Sequence, residues 1–249
     1  SGRYLYKYLP LLTKKIMKHN IFQKTFKQLE NYSIGNEQIL ISYSGGKDSL
    51  IVLDMCSRIF KTIIGFFMYL IPGISICEKQ IKYAQDRYNV EIIQYPHWLL
   101  SRFLKRGIYC NPHYKYNNFP ELKPKDIYAL AREDTGFWLI ATGQKRSDTM
   151  WRSRNLSQET PGIINPLKDW NKYEVLAYCK LYNIPLPDSA EGNVSGIDLS
   201  ERTLLWLHDR HPEDFKKLLK LFPFAEVPIY RRRFYENELN SKRPKKQRG

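Results

Sequence analysis

Cysteine is scarce in this sequence, and the placement of the few cysteines excludes the common metal sites. The four cysteines lie far apart among 249 residues, at positions 56, 77, 110 and 179, and no Cys-x-x-Cys pair occurs. Zinc and iron–sulfur sites use closely spaced ligands, and Cys110 and His113 form a Cys-x-x-His pair with no second pair to complete it. We therefore expect no zinc and no iron–sulfur cluster. Free thiols are typical of a cytoplasmic protein, which is the expected location.

Long apolar runs are also missing. The apolar run at residues 62–71 is far shorter than the roughly 20 residues that a membrane-spanning helix needs. We interpret this run as a strand, and no membrane partner is expected.

Acidic residues are outnumbered by basic ones. The chain has 25 Asp and Glu against 40 Lys and Arg, which gives a formal net charge of +15. A surface of this charge attracts polyanions, so nucleic acid, either DNA or RNA, is a predicted partner. A nucleotide substrate would account for part of the charge, and a basic surface that contacts only water is the alternative interpretation.

One stretch contains a strand, a glycine-rich turn and a helix in succession. The apolar pattern predicts a short buried strand at 39–43 and a helix at 48–58. The turn between them can approach a ligand closely through its glycines, and the start of the helix favours an anion such as phosphate. Its lysine is followed by Asp48, whereas a Walker loop requires Ser or Thr there. The predicted nucleotide-binding residues are Ser42, Ser44, Gly45, Gly46, Lys47, Asp48 and Ser49.

The rest of the chain alternates between predicted strands and helices. Further strands are predicted at 62–70, 90–95, 137–142 and 163–164, and further helices at 76–88, 98–105, 125–133, around 149–154, and at 171–182. This alternation predicts an α/β fold with a doubly wound, mostly parallel five-stranded sheet. Ligands of such sheets bind beyond the carboxyl ends of the strands, where the glycine-rich turn lies.

Changes in composition divide the chain into four predicted segments. Residues 1–37 form a basic, helical N-terminal arm, and residues 38–197 form the nucleotide-binding domain. Residues 198–240 form a helical C-terminal extension with amphipathic helices at 199–208 and 213–221, and residues 241–249 form a mobile basic tail.

A second group of candidate residues follows the fourth predicted strand. Gly143 allows the backbone to pass close to a ligand, and Lys145, Arg146, Arg152 and Arg154 gather on the predicted phosphate side. Arginine forks match anionic oxygens in two-point contacts, so Arg146 and Arg152 are predicted to neutralise phosphates. Gly143 and Lys145 are predicted to bind the nucleotide. The alternative is a basic helix face exposed to water.

A third motif, Asn165-Pro-Leu-Lys-Asp169-Trp170, precedes a helix and the sequence Ile184-Pro-Leu. Asp169 is placed to cap the helix that starts near Asn171. Taken in order, the three motifs resemble the phosphoadenosine-phosphosulfate (PAPS) reductase branch of the PP-loop ATP pyrophosphatase superfamily. The resemblance covers about residues 38–200. This branch also contains the ATP pyrophosphatases of DNA phosphorothioation systems.

The resemblance implies an adenine nucleotide α-hydrolase-like fold and an enzyme that cleaves ATP between the α and β phosphates. It implies catalytic roles for Lys47, Asp48, Arg146 and Arg152, with ATP and Mg²⁺ as cofactors. For Asp48 two roles stay open, a Mg²⁺ ligand through water or a helix cap. The implied reaction adenylates an acceptor oxygen for sulfur transfer in DNA phosphorothioation or RNA thiolation. A sulfur-donor protein such as a cysteine desulfurase is the implied partner.

The sequence departs from the sulfonucleotide reductases in its cysteines. Those enzymes carry a nucleophilic cysteine near the C-terminus, whereas the last cysteine here is Cys179 in a predicted helix. Cys56 and Cys179 are expected to be buried, and Cys110, in a predicted loop at 106–124, is the candidate sulfur relay. A PAPS reductase-like sulfonucleotide enzyme and a non-catalytic nucleotide- or nucleic-acid-binding subunit are the alternatives.

Overall fold

Strand β1, Gln38–Tyr43, lies at the centre of a five-stranded sheet. The structure, a computed structural model, describes residues 21–111, 120–150, 154, 156, 160–186 and 198–241, with side chains up to 235. The other strands are β2 Thr62–Tyr69, β3 Glu91–Pro96, β4 Ile140–Thr142 and β5 Ile163–Ile164. Their order is β3-β2-β1-β4-β5, and every neighbouring pair is parallel.

Helices connect the strands and continue beyond them. They are α1 Ile21–Ser33, α2 Lys47–Ser57, α3 Ser75–Tyr88, α4 Trp98–Lys105, α5 Pro124–Thr135, α6 Lys172–Leu181, α7 Glu201–Arg210, α8 Pro212–Leu221 and α9 Val227–Ser241, with a 3₁₀ turn at Arg146–Asp148. The predicted doubly wound α/β fold is therefore confirmed. In the described part of the chain, no helix combines the length and apolarity needed to cross a membrane.

The strand order creates a crevice beside β1. From β1 the chain moves outward to β2 and β3, and it later returns to place β4 and β5 on the other side of β1. Ser42 is therefore paired with Phe66 on β2 and with Thr142 on β4. The loops that follow β1 and β4 lead away from neighbouring strand ends, and this position is where open α/β sheets bind ligands.

Alternating side chains of β1 enter separate cores on the two faces of the sheet. Ile39 and Ile41 are fully buried in the core that contains α2 and α6, while Leu40 is buried with Ile127 and Ala131 of α5. Burial on both faces explains why the strand is an almost continuous apolar run. The described part of the predicted N-terminal arm, α1, belongs to the first core through Leu29.

The C-terminal helices build a third core with the segment that follows β2. Leu204, Phe215 and Phe222 pack there with Leu70 and Ile74. The predicted helices in this region are present, but α9 was not predicted. Its Pro228 lies in the first turn, where a missing N–H costs little, so proline does not break this helix. The predicted segment boundaries stay a prediction, and residues 1–20 and 242–249 lie outside the described residues.

A buried carboxylate joins the C-terminal helices to the start of α3. Asp214 of α8 is 2 % exposed, and it accepts hydrogen bonds from the Ser75 backbone N at 2.9 Å and the Ser75 hydroxyl at 2.7 Å. The Lys217 ammonium lies 3.1 Å from the same carboxylate. Burial opposes ionisation, but the hydrogen bonds from Ser75 and Lys217 outweigh it and lower the pKa of Asp214.

We predict that Asp214→Asn lowers the free energy of unfolding at pH 7 by about 1–3 kcal/mol, because a charged hydrogen-bond acceptor is lost from a buried site. The folded-state pKa of Asp214 lies below its unfolded value. Its stabilisation is therefore present above about pH 4 and is lost as the pH falls through the folded-state pKa.

Urea unfolding followed by circular dichroism at pH 7 and pH 3 measures both effects. The wild-type protein should lose more stability than Asp214→Asn between the two pH values. Glu213→Gln, at an exposed position on the same helix, is the matched control and should cost little. If Asp214→Asn and Glu213→Gln lowered the free energy of unfolding at pH 7 by equal amounts, the anchoring role of Asp214 would be contradicted.

Candidate active site at the carboxyl ends of β1 and β4

The phosphate loop, residues 44–49, is held in shape by one hydroxyl. Ser49 Oγ donates to the Gly46 carbonyl at 2.9 Å and accepts from the Ser44 backbone N and the Ser44 hydroxyl, each at 3.1 Å. Gly45 has φ +72°, a conformation that favours glycine. Gly46 is the N-cap of α2 and supplies no side chain to its first N–H groups. The start of α2 is thus suited to an anion.

Gly143 brings the loop after β4 against the start of α2. A Cβ atom at this position would lie 2.9 Å from the Ser49 backbone N and 3.0 Å from the Asp48 carbonyl carbon. Only glycine fits such an approach without displacing backbone. The observed reason for Gly143 is therefore contact between the two loops, and its predicted approach to a nucleotide stays a prediction.

Lys145 is buried between two carboxylates. Its ammonium lies 2.5 Å from Asp48 Oδ2 and 3.2 Å from Asp148 Oδ1, and its side chain is 6 % exposed. The capping alternative for Asp48 is not observed, because Gly46 is the N-cap. Lys47 Nζ lies 3.6 Å from the same Asp48 oxygen and its side chain is 28 % exposed. Lys47 is therefore the more accessible of the two ammonium groups.

Arg146 is oriented by the third motif. Its backbone N donates to the Lys168 carbonyl at 2.9 Å, and its Nη1 donates to Asp169 Oδ1 at 2.6 Å. The prediction that Asp169 caps α6 is wrong, since Asn171 Oδ1 accepts from the Tyr173 and Glu174 backbone N atoms. Because Asn171 supplies the cap, the carboxylate of Asp169 is available to pair with Arg146.

The third motif also supports the end of β4. Asn165 Oδ1 and Thr142 Oγ1 lie 2.6 Å apart, and the Ser147 hydroxyl donates to the Trp170 carbonyl at 3.0 Å. Trp170 Nε1 donates to Thr25 Oγ1 of α1 at 2.9 Å. The roles of Asn165 and Asp169 were missed in the sequence. The available signal was their position after β5, whose carboxyl end lies beside that of β4.

The remaining predicted residues divide into described and undescribed positions. Ser42 is partly exposed at the end of β1, beside Thr142, and so lies at the crevice. Arg154 is exposed, while Arg152 lies outside the described residues. Two polar atoms of this region, Asp48 Oδ1 and Arg146 Nε, are buried without a hydrogen-bond partner among the residues that the structure describes.

Asp48 Oδ1 provides a test of the implied Mg²⁺. In nucleotide sites Mg²⁺ is usually bound by one or two carboxylates together with substrate phosphates. Within the described ranges, no group of three or more His, Cys, Asp or Glu side chains could hold a metal by itself. The unpaired oxygen of Asp48 fits a site in which one carboxylate and the substrate phosphates share the metal. Asp48 is therefore the residue that would hold a Mg²⁺ brought in with ATP.

All four thiols are disfavoured as thiolates. Cys56 and Cys179 are buried, as predicted, at 0 % and 4 % exposure. Burial raises the pKa of each cysteine, to about 12 for Cys77 and Cys179. Cys110 Sγ lies 4.0 Å from the Leu104 carbonyl oxygen. Its role as a sulfur relay stays a prediction, and the raised pKa does not favour it.

Comparison with known protein families shows which family the chain belongs to. The family model described as "Phosphoadenosine phosphosulfate reductase domain" matches residues 38–188. The chain belongs to this family. It is thereby a member of the PP-loop ATP pyrophosphatase superfamily, as the three motifs predicted. No match was found among curated proteins.

Solved structures share the fold at low sequence identity. The NH3-dependent NAD synthetase from Campylobacter jejuni, in complex with the nitrate ion, has 15 % identity and a TM-score of 0.50, covering 92 % of this chain and 99 % of that one. This likeness confirms the adenine nucleotide α-hydrolase-like fold.

Two further structures match more weakly. The U34-tRNA thiolase NcsA from Methanococcus maripaludis, with its [4Fe-4S] cluster, has 14 % identity, a TM-score of 0.45 and coverage of 85 % and 80 %. The PAPS reductase from Candida auris, a phosphate complex, has 17 % identity, a TM-score of 0.42 and coverage of 74 % and 90 %.

We predict that Asp169→Asn raises the KM for the nucleotide substrate about 3- to 30-fold, because Arg146 loses its charged partner and its orientation. Stability should change by less than about 1 kcal/mol, since the pair is partly exposed. Steady-state kinetics and thermal unfolding check the two parts.

The matched control is Asp86→Asn, which removes another exposed carboxylate with a basic partner, Lys82, on α3. It should leave KM unchanged. An unaltered KM in Asp169→Asn would show that the ion pair does not position Arg146 for the substrate.

Proposed function

We propose that this protein is an ATP pyrophosphatase that adenylates an acceptor oxygen and releases pyrophosphate, in preparation for sulfur transfer. The observation that carries this proposal is the joining of two loops at the crevice between β1 and β4. The first is a phosphate loop at the start of α2, and the second holds Lys145 against Asp48 and Arg146 against Asp169. Family membership supports an enzyme of this class.

The residues of the site suit a reaction driven by positioning. Ser44, Gly45, Gly46 and Ser49 would surround the pyrophosphate part of ATP, with the ammonium of Lys47 beside it. Arg146 and Arg152 are the proposed partners of the remaining phosphate charge. Phosphoryl and adenylyl transfer depend mainly on alignment and charge neutralisation, which fixed cations and backbone N–H groups provide. When bound, Mg²⁺ would add positive charge at the phosphates, held by Asp48.

The proposed chemistry proceeds in two displacements. An oxygen of the acceptor attacks the α-phosphorus of ATP, a new P–O bond forms, and the bond to the β-phosphate breaks with release of pyrophosphate. Hydrosulfide then attacks the activated centre; it is released from the persulfide of a donor protein such as a cysteine desulfurase by a thiol reductant, which is oxidised to a disulfide. The acceptor–oxygen bond breaks, and AMP leaves with that oxygen and the bonding electron pair, so the displacement itself changes no oxidation state.

Direct delivery of sulfur is favoured over a relay through this chain. The raised pKa of all four thiols leaves little thiolate at neutral pH. Cys110 is only partly buried and is the proposed relay if one exists. The same argument weighs against a reductase that attacks a sulfonucleotide with its own thiol.

A sulfonucleotide enzyme is the second candidate, because the matching family carries that name. Such an enzyme would release sulfite from PAPS in a thioredoxin-dependent reaction without consuming ATP.

Nucleic acid is the proposed acceptor for the favoured reaction, through DNA phosphorothioation or RNA thiolation. The net charge of +15 supports it, since a nucleotide alone does not need so much basic surface.

We predict that Lys47→Ala weakens ATP binding about 10- to 100-fold and reduces pyrophosphate release, because a charged contact to phosphate is lost. The fold should be retained, since the Lys47 side chain is not packed in a core. Isothermal titration calorimetry with ATP and Mg²⁺ and a coupled pyrophosphate assay are the measurements.

Lys61→Ala is the matched control. Its ammonium pairs with Glu37 at an exposed position beside the amino ends of β1 and β2, whereas the phosphate loop follows the carboxyl end of β1. The loss of this ammonium should leave ATP binding intact. A folded Lys47→Ala protein with wild-type affinity and rate would overturn the phosphate-loop assignment.

A further inference from the structure

One side of α9 is fixed to the C-terminal core. Ile229 is 1 % exposed within that core. On the flanks of this buried side, Arg232 Nη1 lies 3.3 Å from Glu201 Oε1 and Arg233 Nη2 lies 3.0 Å from Asp209 Oδ1 of α7. These contacts define how α9 is rotated and therefore which side chains it presents outward.

The outward side of α9 is rich in exposed aromatic groups. Val227, Tyr230 and Phe234 follow a spacing of three and four residues, which places them on one helix face. Tyr230 and Phe234 are each 62 % exposed. We call this surface the α9 face, and it consists of Phe224, Val227, Tyr230, Arg231, Phe234 and Tyr235, all exposed. Clustered exposed aromatic groups on one element usually indicate a binding surface.

A positive charge lies within this aromatic surface. The side chain of Arg231 is 65 % exposed, and its Nη2 is 3.5 Å from Glu201 Oε2. Because Glu201 also pairs with Arg232, a single carboxylate faces two guanidinium groups. An exposed pair of this length is weak, so a phosphate can compete for Arg231.

The charge of the chain decides which partner fits. A second copy of the chain would bring Arg231 against a like charge and another molecule of net charge +15, so self-association through this face is opposed. A polyanion that also presents flat apolar surfaces matches both the aromatic side chains and the positive charge of the α9 face. Single-stranded nucleic acid has this combination, because its unpaired bases can stack on aromatic side chains while basic groups contact its phosphates. In a duplex the base faces are hidden.

We propose that the α9 face binds single-stranded nucleic acid, with Tyr230 and Phe234 stacking on bases and Arg231 contacting the phosphates of the nucleic acid. The proposal rests on the proposed function, in which nucleic acid is the acceptor, and it specifies that acceptor as single-stranded where it meets α9. The surface belongs to the C-terminal helices, whereas the phosphate loop lies at the β1–β4 crevice. Binding at α9 and ATP binding can therefore be measured separately.

The test compares Tyr230→Ala/Phe234→Ala with Tyr173→Ala, which removes a tyrosine of similar exposure, 51 %, from α6. Fluorescence anisotropy is measured with labelled single-stranded RNA, single-stranded DNA and a DNA duplex, at two salt concentrations. The double variant should raise the Kd for a single strand about tenfold or more for each aromatic ring removed. The control should stay within about twofold of wild type.

Two further results are expected. Duplex affinity should change less than single-strand affinity in the double variant, because stacking is lost and the phosphate contacts remain. Arg231→Gln should weaken binding to any sequence and lower the slope of log Kd against log salt by about 1. Circular dichroism should show wild-type folding for every variant, since the replaced side chains are exposed.

Three results would overturn the proposal: single-strand affinity unchanged in a folded double variant, no single-strand binding by the wild-type protein at low salt, or a dimer in sedimentation velocity that the double variant dissociates. Pyrophosphate release from ATP is measured in the same preparations. Its absence from the wild-type protein would remove the proposed function while leaving the α9 result valid. Normal release with no oligonucleotide binding would remove only the nucleic-acid surface.

Discussion

The ion pair between Asp48 and Lys145 connects the two loops from which the site is built. A buried ammonium is costly unless a carboxylate lies beside it, so Lys145 requires Asp48 at 2.5 Å and Asp148 at 3.2 Å. The contact is possible only because β1 and β4 are adjacent and parallel, which brings their carboxyl ends to one edge. Gly143 contributes by letting the second loop approach the α2 backbone.

This arrangement gives the cations of the site different tasks. Lys145 is occupied by two carboxylates and fixes the relation between the loops. Lys47 and Arg146 have partly exposed side chains, and Asp169 orients Arg146 through their ion pair. Phosphate charge would therefore meet an accessible ammonium and a guanidinium whose positions are set by other residues. Preorganised charge of this kind is usually the largest single contribution that a protein makes to catalysis.

The sequence predicted the parts of this site that depend on local pattern. The β1 strand, the glycine turn and the following helix are contiguous, so apolar periodicity and turn chemistry were sufficient to locate them. The positions of all five strands were predicted, although β4 begins at Ile140 rather than at 137. The mostly parallel arrangement followed from the alternation of strands and helices, whereas the strand order was not predicted.

Contacts between distant residues could not be predicted in the same way. The partners Asp48 and Lys145 are 97 residues apart, and Asp169 had two suitable neighbours, the α6 terminus and Arg146. Only the three-dimensional arrangement decides such a choice. Helix α9 was missed because its arginine run hides the apolar pattern, and its outward aromatic groups break the expectation that such residues are buried.

The central claim of the proposed function is that ATP is cleaved between its α and β phosphates. ATP labelled at the α-phosphate is incubated with the protein, Mg²⁺, single-stranded nucleic acid and sulfide, and the products are separated by chromatography. The proposed mechanism predicts that the label appears as AMP or as an AMP adduct, with pyrophosphate in equal amount. Labelled ADP with inorganic phosphate as the main products would contradict it.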